Sequence, residues 1–209
     1  MKRYIDLTRT IVDEQAVYPG DDATSLKRSR NLSIDGFNNH RLQISMHSGT
    51  HIDGPMHMSD SSLYIDQMPL ENFVGSGVLL DVRGYSEILM REEYADRIAE
   101  HSIVLFWTGR DEIFGSREYF VENPCITEEF AKFLVEKKVK AVGFDSSSPD
   151  RYPYPVHGIL FTNGVLIIEN LTNLASLKEV VNFKVIALPL KIHADSSIAR
   201  VIAVVQESE

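Results

Sequence analysis

Short apolar runs alternate with helical patterns through the middle and C-terminal parts of the chain. The runs are rich in Val, Ile and Phe, and Gly, Asp or Pro bounds each one, so they predict buried strands. They cover residues 78–82, 103–109, 139–145, 165–170 and 183–190. Helical patterns lie between them at 86–100 and 127–138. Strand–helix–strand alternation predicts parallel pairing in an α/β domain.

The second helical pattern carries the clearer boundary signals. Thr127 is a suitable N-cap, acidic residues follow it, and two lysines end the pattern. Its apolar stripe consists of Phe130, Phe133 and Leu134. A helix that packs one face on the sheet is therefore predicted here.

The N-terminal third is patterned differently. Residues 13–40 are polar and turn-rich, which predicts irregular or short-stranded structure with a turn at Pro19-Gly20. Residues 41–48 alternate strictly, with His47 on the polar face, and this period predicts a strand. The fold class expected for residues 1–209 is α/β, a single domain with a mixed sheet and flanking helices.

Composition limits the partners. The net charge is −9, the pI is about 5.3 and no Lys/Arg block occurs, which argues against nucleic acid and anionic membranes. No apolar run approaches the roughly 20 residues of a membrane span, and the first ten residues lack a signal-peptide core. The single Cys125 cannot form an intrachain disulfide. We expect a cytoplasmic protein that acts on a small molecule.

Candidate chemistry is concentrated in the stretch HSGTHIDGPMH at 47–57, which holds three of the seven histidines. Its glycines and proline exclude a helix, but a loop can bring His47, His51 and Asp53 to one point. Imidazole nitrogens with a carboxylate oxygen suit Zn²⁺ or Mn²⁺, and three protein ligands leave a position open for catalysis. The competing interpretation is a polar loop whose histidines bind backbone groups.

Two later residues could belong to the same site. His157 lies in YPYPVHGILF, and Glu169 ends the apolar strand at 165–170, where α/β folds often place functional groups. The alternative for Glu169 is a charge that escapes to solvent at the strand end. The other histidines are expected to be solvated or hydrogen-bonded; they are His40, His101 and His193.

The histidine stretch resembles the HxGTHxDxPxH signature of the cyclase-like metal hydrolases, which include bacterial kynurenine formamidase. Further segments look like family blocks in family order; they are YIDLTRTI near the start, YPGD at 18–21, GFDSSSPD at 143–150 and VIALPLKI at 185–192. The resemblance covers nearly the whole chain. It implies the swivelling β/β/α fold and a homodimer or homotetramer.

The resemblance also implies roles for the motif residues. His47, His51 and Asp53 would bind one metal, and Asp53 would bridge to a second one. His157 and Glu169 would complete that second site, so two Zn²⁺ ions per subunit are expected, with Mn²⁺ also fitting.

Two further motif residues are predicted to act on the substrate. His57 would donate and accept protons. Tyr18 stands where the kynurenine formamidase branch has a tryptophan that contacts the aromatic substrate, and a tyrosine can still stack on a ring.

The predicted activity is hydrolysis of an amide bond by metal-activated hydroxide, with His57 as the general acid and base. The favoured substrate is an aryl formamide of the N-formylkynurenine type, as in tryptophan catabolism. Three alternatives remain open. They are hydrolysis of cyclic amides such as isatin, a non-hydrolytic cyclase or dehydratase, and a metal-binding scaffold without catalysis.

Overall fold

The computed structural model describes residues 1–206 of the chain. The strands are β1 (Lys2–Asp6), β2 (Ser25–Arg30), β3 (Asn39–Gln43), β4 (His51–Asp53), β5 (Val74–Asp81), β6 (Glu87–Ile88), β7 (Ile103–Trp107), β8 (Cys125–Ile126), β9 (Ala141–Phe144), β10 (Leu166–Glu169), β11 (Phe183–Pro189) and β12 (Ser196–Gln206). The α-helices are α1 (Leu32–Asp35), α2 (Glu92–Ala95), α3 (Arg117–Val121), α4 (Glu128–Glu136) and α5 (Pro155–Thr162). None of these helices is long and apolar enough to cross a bilayer.

Eight of the strands form one mixed sheet in the order β1-β12-β11-β5-β7-β9-β10-β4. Strands β5, β7, β9 and β10 are parallel, whereas the remaining pairings are antiparallel. Because β4 also pairs with β12, the sheet closes on itself like a barrel. The predicted α/β class with a mixed sheet is confirmed.

Each face of the sheet has its own core. Along β7, Ile103, Leu105 and Trp107 join the core inside the barrel-like sheet, while Val104 and Phe106 join the core beneath α4 and α5. A strand buried on both faces has no polar side, which explains the continuous apolar runs in the sequence.

Most of the predicted elements in the second half are present. Four of the five apolar runs contain β7, β9, β10 and β11, and the run at 78–82 covers the second half of β5. Helix α4 begins after Thr127, whose hydroxyl accepts a hydrogen bond from the Phe130 amide at 3.3 Å. Phe130 and Leu134 of the predicted stripe are buried, and Phe133 is half-buried. The turn at 19–20 is present too, closed by the Asp21 amide donating to the Tyr18 carbonyl.

The helix predicted over 86–100 is wrong. The segment contains the two-residue strand β6, which pairs with β8, and only four helical residues in α2. Ile88, Tyr94 and Ile98 are each buried in the outer core. No side chain caps the start of α2. The burial of these three separate side chains therefore determines the structure of the segment more strongly than the helical pattern of its sequence does.

The strand predicted over 41–48 is also wrong in its second half. β3 ends at Gln43, residues 46–47 form a turn and residues 48–50 a bend, and the His47 amide donates to Ser45 Oγ at 3.3 Å. Within residues 1–206, β3 pairs with β2 alone, and all its residues are exposed. The alternation at 41–46 thus does not mark a face buried in the main core.

The long strand that closes the fold, β12, was not predicted. β12 extends over eleven residues, and its two halves pair on one edge with β4 and with β1. This long strand brings the N-terminus and the histidine stretch onto the same sheet.

Candidate metal centre

Strand β4 carries two of the predicted ligands. It lies between β10 and β12, so that His51 is opposite Glu169 on one side and Asp53 is opposite Ser196 on the other. His51 and Asp53 are two residues apart, and alternate residues of a strand share a face. The strand register therefore fixes both side chains beside Glu169.

The backbone fixes the His51 ring. Nδ1–H donates to the Gly49 carbonyl at 2.8 Å, and the same carbonyl accepts from Asn170 Nδ2 at 3.0 Å. Gly49 has a φ of +68°, a conformation that glycine adopts without steric cost. Because Nδ1 carries the hydrogen, Nε2 of this buried ring presents a lone pair.

The His157 ring is fixed in the same sense by a carboxylate. Its Nδ1–H donates to Asp150 Oδ1 at 2.6 Å, and Asp150 Oδ2 accepts from the Val156 amide at 2.7 Å. Asp150 thereby caps the first turn of α5 and orients the histidine on it. Nε2 of His157 is again the nitrogen with the free lone pair.

Glu169 lies between the two free nitrogens. Its Oε2 is 3.5 Å from His51 Nε2, and its Oε1 is 3.7 Å from His157 Nε2. Burial, followed by the carboxylates of Asp53 and Asp150, raises the pKa of Glu169. The lone pairs of the two Nε2 atoms thus face the carboxylate oxygens of Glu169. A cation bound between them would stabilise this arrangement.

A buried carboxylate oxygen of Asp53 is likewise close to ring nitrogens. Its Oδ1 lies 2.8 Å from His47 Nδ1 and 3.3 Å from His51 Nε2. Among the described residues, no hydrogen bond of acceptable geometry reaches Asp53 Oδ1 or His51 Nε2, although both atoms are buried. Burial opposes ionisation of Asp53, but the nearby His51 and His47 hold its pKa well below the ordinary value.

His47 and His57 form the side of the site that opens to the cavity. The centroids of their rings are 4.1 Å apart. Both rings approach Asp195 Oδ2, His47 through Nε2 at 2.8 Å and His57 through Nδ1 at 3.3 Å. Gly54 lets the Asp195 backbone pass, since a Cβ there would be 2.5 Å from the Asp195 carbonyl oxygen.

The two histidines of this side respond differently to their surroundings. Burial lowers the pKa of His57. Burial also opposes protonation of His47, but the carboxylates of Asp53 and Asp195 outweigh it and raise the pKa to about 9.

We call His51, His157 and Glu169 the buried half of the centre, and His47, His57 and Asp195 the pocket half. Asp53 belongs to both sets of potential ligands whose atoms lie within 4.8 Å of one another; these sets are His51, Asp53, Glu169 and His47, Asp53, His57. Nitrogen and carboxylate donors with buried, unpartnered atoms fit a divalent ion such as Zn²⁺ or Mn²⁺.

A cavity of about 410 Å³ leads to this centre. Much of its wall is aromatic; the aromatic lining side chains are Tyr18, Phe114, Phe120, Tyr152 and Tyr154. Tyr18 packs edge-on against Phe120 at 6.1 Å between ring centroids, and its hydroxyl bonds with that of Tyr154. This hydrogen bond, together with burial, raises the pKa of Tyr154 to about 12.

The structure brings all the predicted site residues to one cavity and its floor; they are Tyr18, His47, His51, Asp53, His57, His157 and Glu169. Asp150 and Asp195 contact these histidines, and Asn170 donates to the Gly49 carbonyl that also accepts from His51; none of the three was predicted. His193, by contrast, stacks on Tyr64 outside the cavity.

Comparison with known proteins gives consistent matches. The Cyclase family model, described as "Putative cyclase", matches residues 5–151. A kynurenine formamidase of Bacillus cereus is 29% identical over 207 residues, covering 95% of this chain and 96% of that protein. A solved structure of a potential metal-dependent hydrolase with cyclase activity has a TM-score of 0.80 at 29% identity, covering 100% of both chains. Isatin hydrolase A from Labrenzia aggregata, bound to benzyl benzoate, has a TM-score of 0.84 at 26% identity, covering 99% of this chain and 94% of that one.

Proposed function

Because this chain belongs to the Cyclase family, we propose that it is a metal-dependent hydrolase that cleaves the amide bond of an aryl formamide. The family resemblance indicated by the histidine stretch is confirmed. Relatives named kynurenine formamidase and a neighbour described as a potential metal-dependent hydrolase support the reaction class.

One observation carries the proposal. The Nε2 lone pairs of His51 and His157 converge on Glu169. Asp53 Oδ1 is buried beside them, and within residues 1–206 it accepts no hydrogen bond of acceptable geometry. We assign ion binding to these residues together with His47, with two Zn²⁺ ions per subunit and Mn²⁺ as the other fitting metal. Such ions, when bound, polarise a carbonyl and lower the pKa of a water from about 15.7 to about 7.

His57 supplies the proton transfer in this proposal. Its Nδ1 faces Asp195, which leaves Nε2 to exchange a proton with the substrate. His57 lines the cavity, with a quarter of its side chain accessible. His57 accepts a proton from the water that adds to the formyl carbon, and it donates a proton to the aryl amine as the carbon–nitrogen bond breaks, so that formate and the amine are released.

The aromatic side chains of the cavity wall support the proposal of a substrate with an aryl group. Tyr18 and Phe120 present aromatic surface beside the histidines, and edge-to-face or stacked packing on a ring suits such walls. The substrate is thus a small aromatic molecule whose carbonyl reaches the floor of the cavity. Tyr18 is the residue we assign to substrate binding.

The test compares chelator-treated protein with protein reloaded with Zn²⁺ or Mn²⁺. We expect an N-formylated aryl amine to be cleaved by the reloaded protein only, while circular dichroism shows that the fold persists without metal. Activity that survives chelation would contradict the metal dependence. Collapse of the fold on chelation, with no amide cleaved after reloading, would identify a metal-stabilised scaffold instead.

Isatin is the second candidate substrate, because a neighbour at 26% identity is an isatin hydrolase. Ring opening of isatin releases no separate amine, whereas cleavage of a formamide releases formate. Parallel kcat/KM measurements on both substrates therefore decide between them. A higher value for isatin would overturn the formamide assignment while leaving the hydrolase class intact.

A further inference from the structure

The side chain of Asn170 reaches the carbonyl that orients His51. Its Nδ2 donates to the Gly49 carbonyl at 3.0 Å, and His51 Nδ1 donates to the same carbonyl at 2.8 Å. Asn170 is buried, with 5% of its surface exposed. Because a carbonyl oxygen only accepts, the amide nitrogen of Asn170 is the atom that faces Gly49. One carbonyl is therefore held by an amide and read by the ring of a predicted ligand.

The backbone of Asn170 is fixed independently of its side chain. Its φ of +56° lies in the left-handed region, which asparagine adopts more readily than most residues. Its amide donates to the Ser146 carbonyl at 3.0 Å, and its carbonyl accepts from Thr50 Oγ1 at 2.7 Å. Since Thr50 belongs to the histidine stretch, this contact ties the end of β10 to that stretch. The main chain thus places the Asn170 side chain beside Gly49 and leaves its rotation to its hydrogen bonds.

Tyr119 holds the other end of the Asn170 amide. The Tyr119 hydroxyl donates to Asn170 Oδ1 at 2.7 Å, and the residue is fully buried in the protein. Its ring packs edge-on against Phe114 and Phe120, with ring centroids 5.1 Å and 5.0 Å away. Burial outweighs the opposing charge of Arg9 and raises the pKa of this hydroxyl. The hydroxyl therefore keeps its proton and remains a donor at a fixed position.

The hydrogen bonds of this network each have one possible direction. The Gly49 carbonyl only accepts, so it receives hydrogens from His51 Nδ1 and Asn170 Nδ2. Asn170 Oδ1 also only accepts, so it receives the hydroxyl hydrogen of Tyr119. A buried amide oxygen without a donor is costly. The Tyr119 hydroxyl therefore stabilises the orientation in which Asn170 Nδ2 faces Gly49.

We propose that Tyr119, acting through Asn170, is a positioning residue that determines which nitrogen of His51 faces the ion. Asn170 Nδ2 fixes the Gly49 carbonyl where His51 Nδ1–H reaches it, so that Nε2 keeps its lone pair towards Glu169. Without the Tyr119 hydroxyl, the Asn170 side chain can turn away and release that carbonyl. The inference rests on the proposed ion-binding role of His51, but the position of the ring hydrogen is measurable without metal.

The first experiment locates the hydrogen on His51 in metal-free protein. Nitrogen-15 NMR at about pH 8, above the ordinary imidazole pKa of about 6.5, should find it on Nδ1 in the wild type. The His51 signals are assigned by their loss in His51→Gln. In Tyr119→Phe the hydrogen should be shared between Nδ1 and Nε2. Tyr94→Phe is the matched control and should leave His51 unchanged, because Tyr94 is 4% exposed but packs on Phe130 in the outer core.

The second experiment measures Zn²⁺ affinity by competition with a chelator. Tyr119→Phe should bind Zn²⁺ about tenfold more weakly than the wild type, at the lower end of the range for loss of a group that orients a ligating histidine. Asn170→Gly, which tolerates the left-handed backbone, should bind about 10–100-fold more weakly. At saturating Zn²⁺ the kcat of Tyr119→Phe should return to the wild-type value, because Tyr119 acts only on the position of a ligand.

Thermal melts verify that each variant is folded, and Asn170→Gly carries both measurements if Tyr119→Phe does not fold. Unchanged hydrogen placement and unchanged Zn²⁺ affinity in Tyr119→Phe would overturn the positioning role, whatever the wild type hydrolyses. An equal loss of affinity in Tyr94→Phe would also overturn it, since general destabilisation would then explain the effect. If the hydrogen moves as expected but the wild type cleaves no formamide, the positioning role stands and the proposed function fails.

Discussion

The buried half and the pocket half of the centre use the same residue types but hold them differently. In the buried half, each histidine has its own acceptor for Nδ1–H, the Gly49 carbonyl for His51 and the Asp150 carboxylate for His157. In the pocket half, His47 and His57 share one oxygen of Asp195. The first arrangement fixes the position of each proton, whereas the second leaves the two rings to divide one acceptor.

The exposure of the histidine side chains also differs between the buried half and the pocket half. The side chains of His51 and His157 are 1% and 4% exposed, while those of His47 and His57 are 24% and 25% exposed. A ring with a fixed tautomer and no access to water suits permanent ion binding. Of the two rings beside the cavity, His47 is assigned to ion binding, whereas His57, whose Nε2 is left free, suits proton exchange with a substrate. The stretch at 47–57 thus contributes both His51 to the buried half and the proton-exchanging His57 to the pocket half.

The largest effect is expected from Asp53, which links the two halves. Asp53→Ala should abolish both metal binding and hydrolysis, because its Oδ1 lies within 3.3 Å of nitrogens from each half. Metal content per chain and kcat are measured together. Asp66→Ala is the control, since Asp66 also pairs with a histidine, His193, but outside the cavity. A metal-replete Asp53→Ala protein would contradict this joining role.

The second largest effect is expected from His57, and its loss should distinguish proton transfer from ion binding. His57→Ala should retain metal and lose roughly 10²–10⁴ in kcat, the range for loss of a general acid and base. His193→Ala should change neither quantity, because that ring stacks on Tyr64 away from the site. If His57→Ala loses its metal, His57 is a ligand, as its place in one of the two potential ligand sets would allow.

Within the centre, individual residues differ in how far the sequence predicted them. His47, His51, Asp53 and His57 lie in one short stretch, so their spacing alone suggested a common site. Asp150 ends the GFDSSSPD segment, which the resemblance marked without giving Asp150 a role, and the local pattern around Asp195 does not mark it as a site residue. Register explains why. β12 pairs Ser196 with Asp53 and so places Asp195 beside His47.

The fold shows the same limit. Strands buried on both faces were predicted from their composition, because burial leaves a local record in the sequence. The helix predicted over 86–100 is largely absent because separate side chains of that segment are buried in the outer core. The strand predicted over 41–48 ends early, at Gln43, and the residues of β3 remain exposed. Helix α5 was also not predicted, and neither was the Asp150 side chain that accepts a hydrogen bond from its first turn.

Asp150 tests whether the buried half depends on its fixed tautomer. Asp150→Asn should lower metal affinity by about 10–100-fold, the usual result of removing the partner of a ligating histidine. An asparagine offers one oxygen, whereas Asp150 accepts from both His157 Nδ1 and the Val156 amide. Metal titration followed by calorimetry measures the effect.

The control for this variant is Asp145→Asn. Asp145 is also a buried carboxylate near the end of β9, but it accepts from Thr108 and Gly109 rather than from a histidine. Both variants should lose some thermal stability. Only Asp150→Asn should lose metal affinity, and an equal loss in both would reduce the effect of Asp150 to general destabilisation.

Asp195 gives the smallest and most discriminating effect. Asp195→Asn keeps an oxygen for His47 and His57 but removes the charge, and 35% exposure of the side chain lets water screen that loss. We expect about a tenfold fall in kcat, equivalent to one weakened hydrogen bond to a charged group, with metal affinity reduced less than in Asp150→Asn. Single-turnover kinetics on metal-saturated protein measures the first quantity and calorimetry the second. If Asp195→Asn binds metal as poorly as Asp150→Asn while its saturated kcat is normal, then Asp195 orients a ligand, and the two halves differ in exposure but not in task.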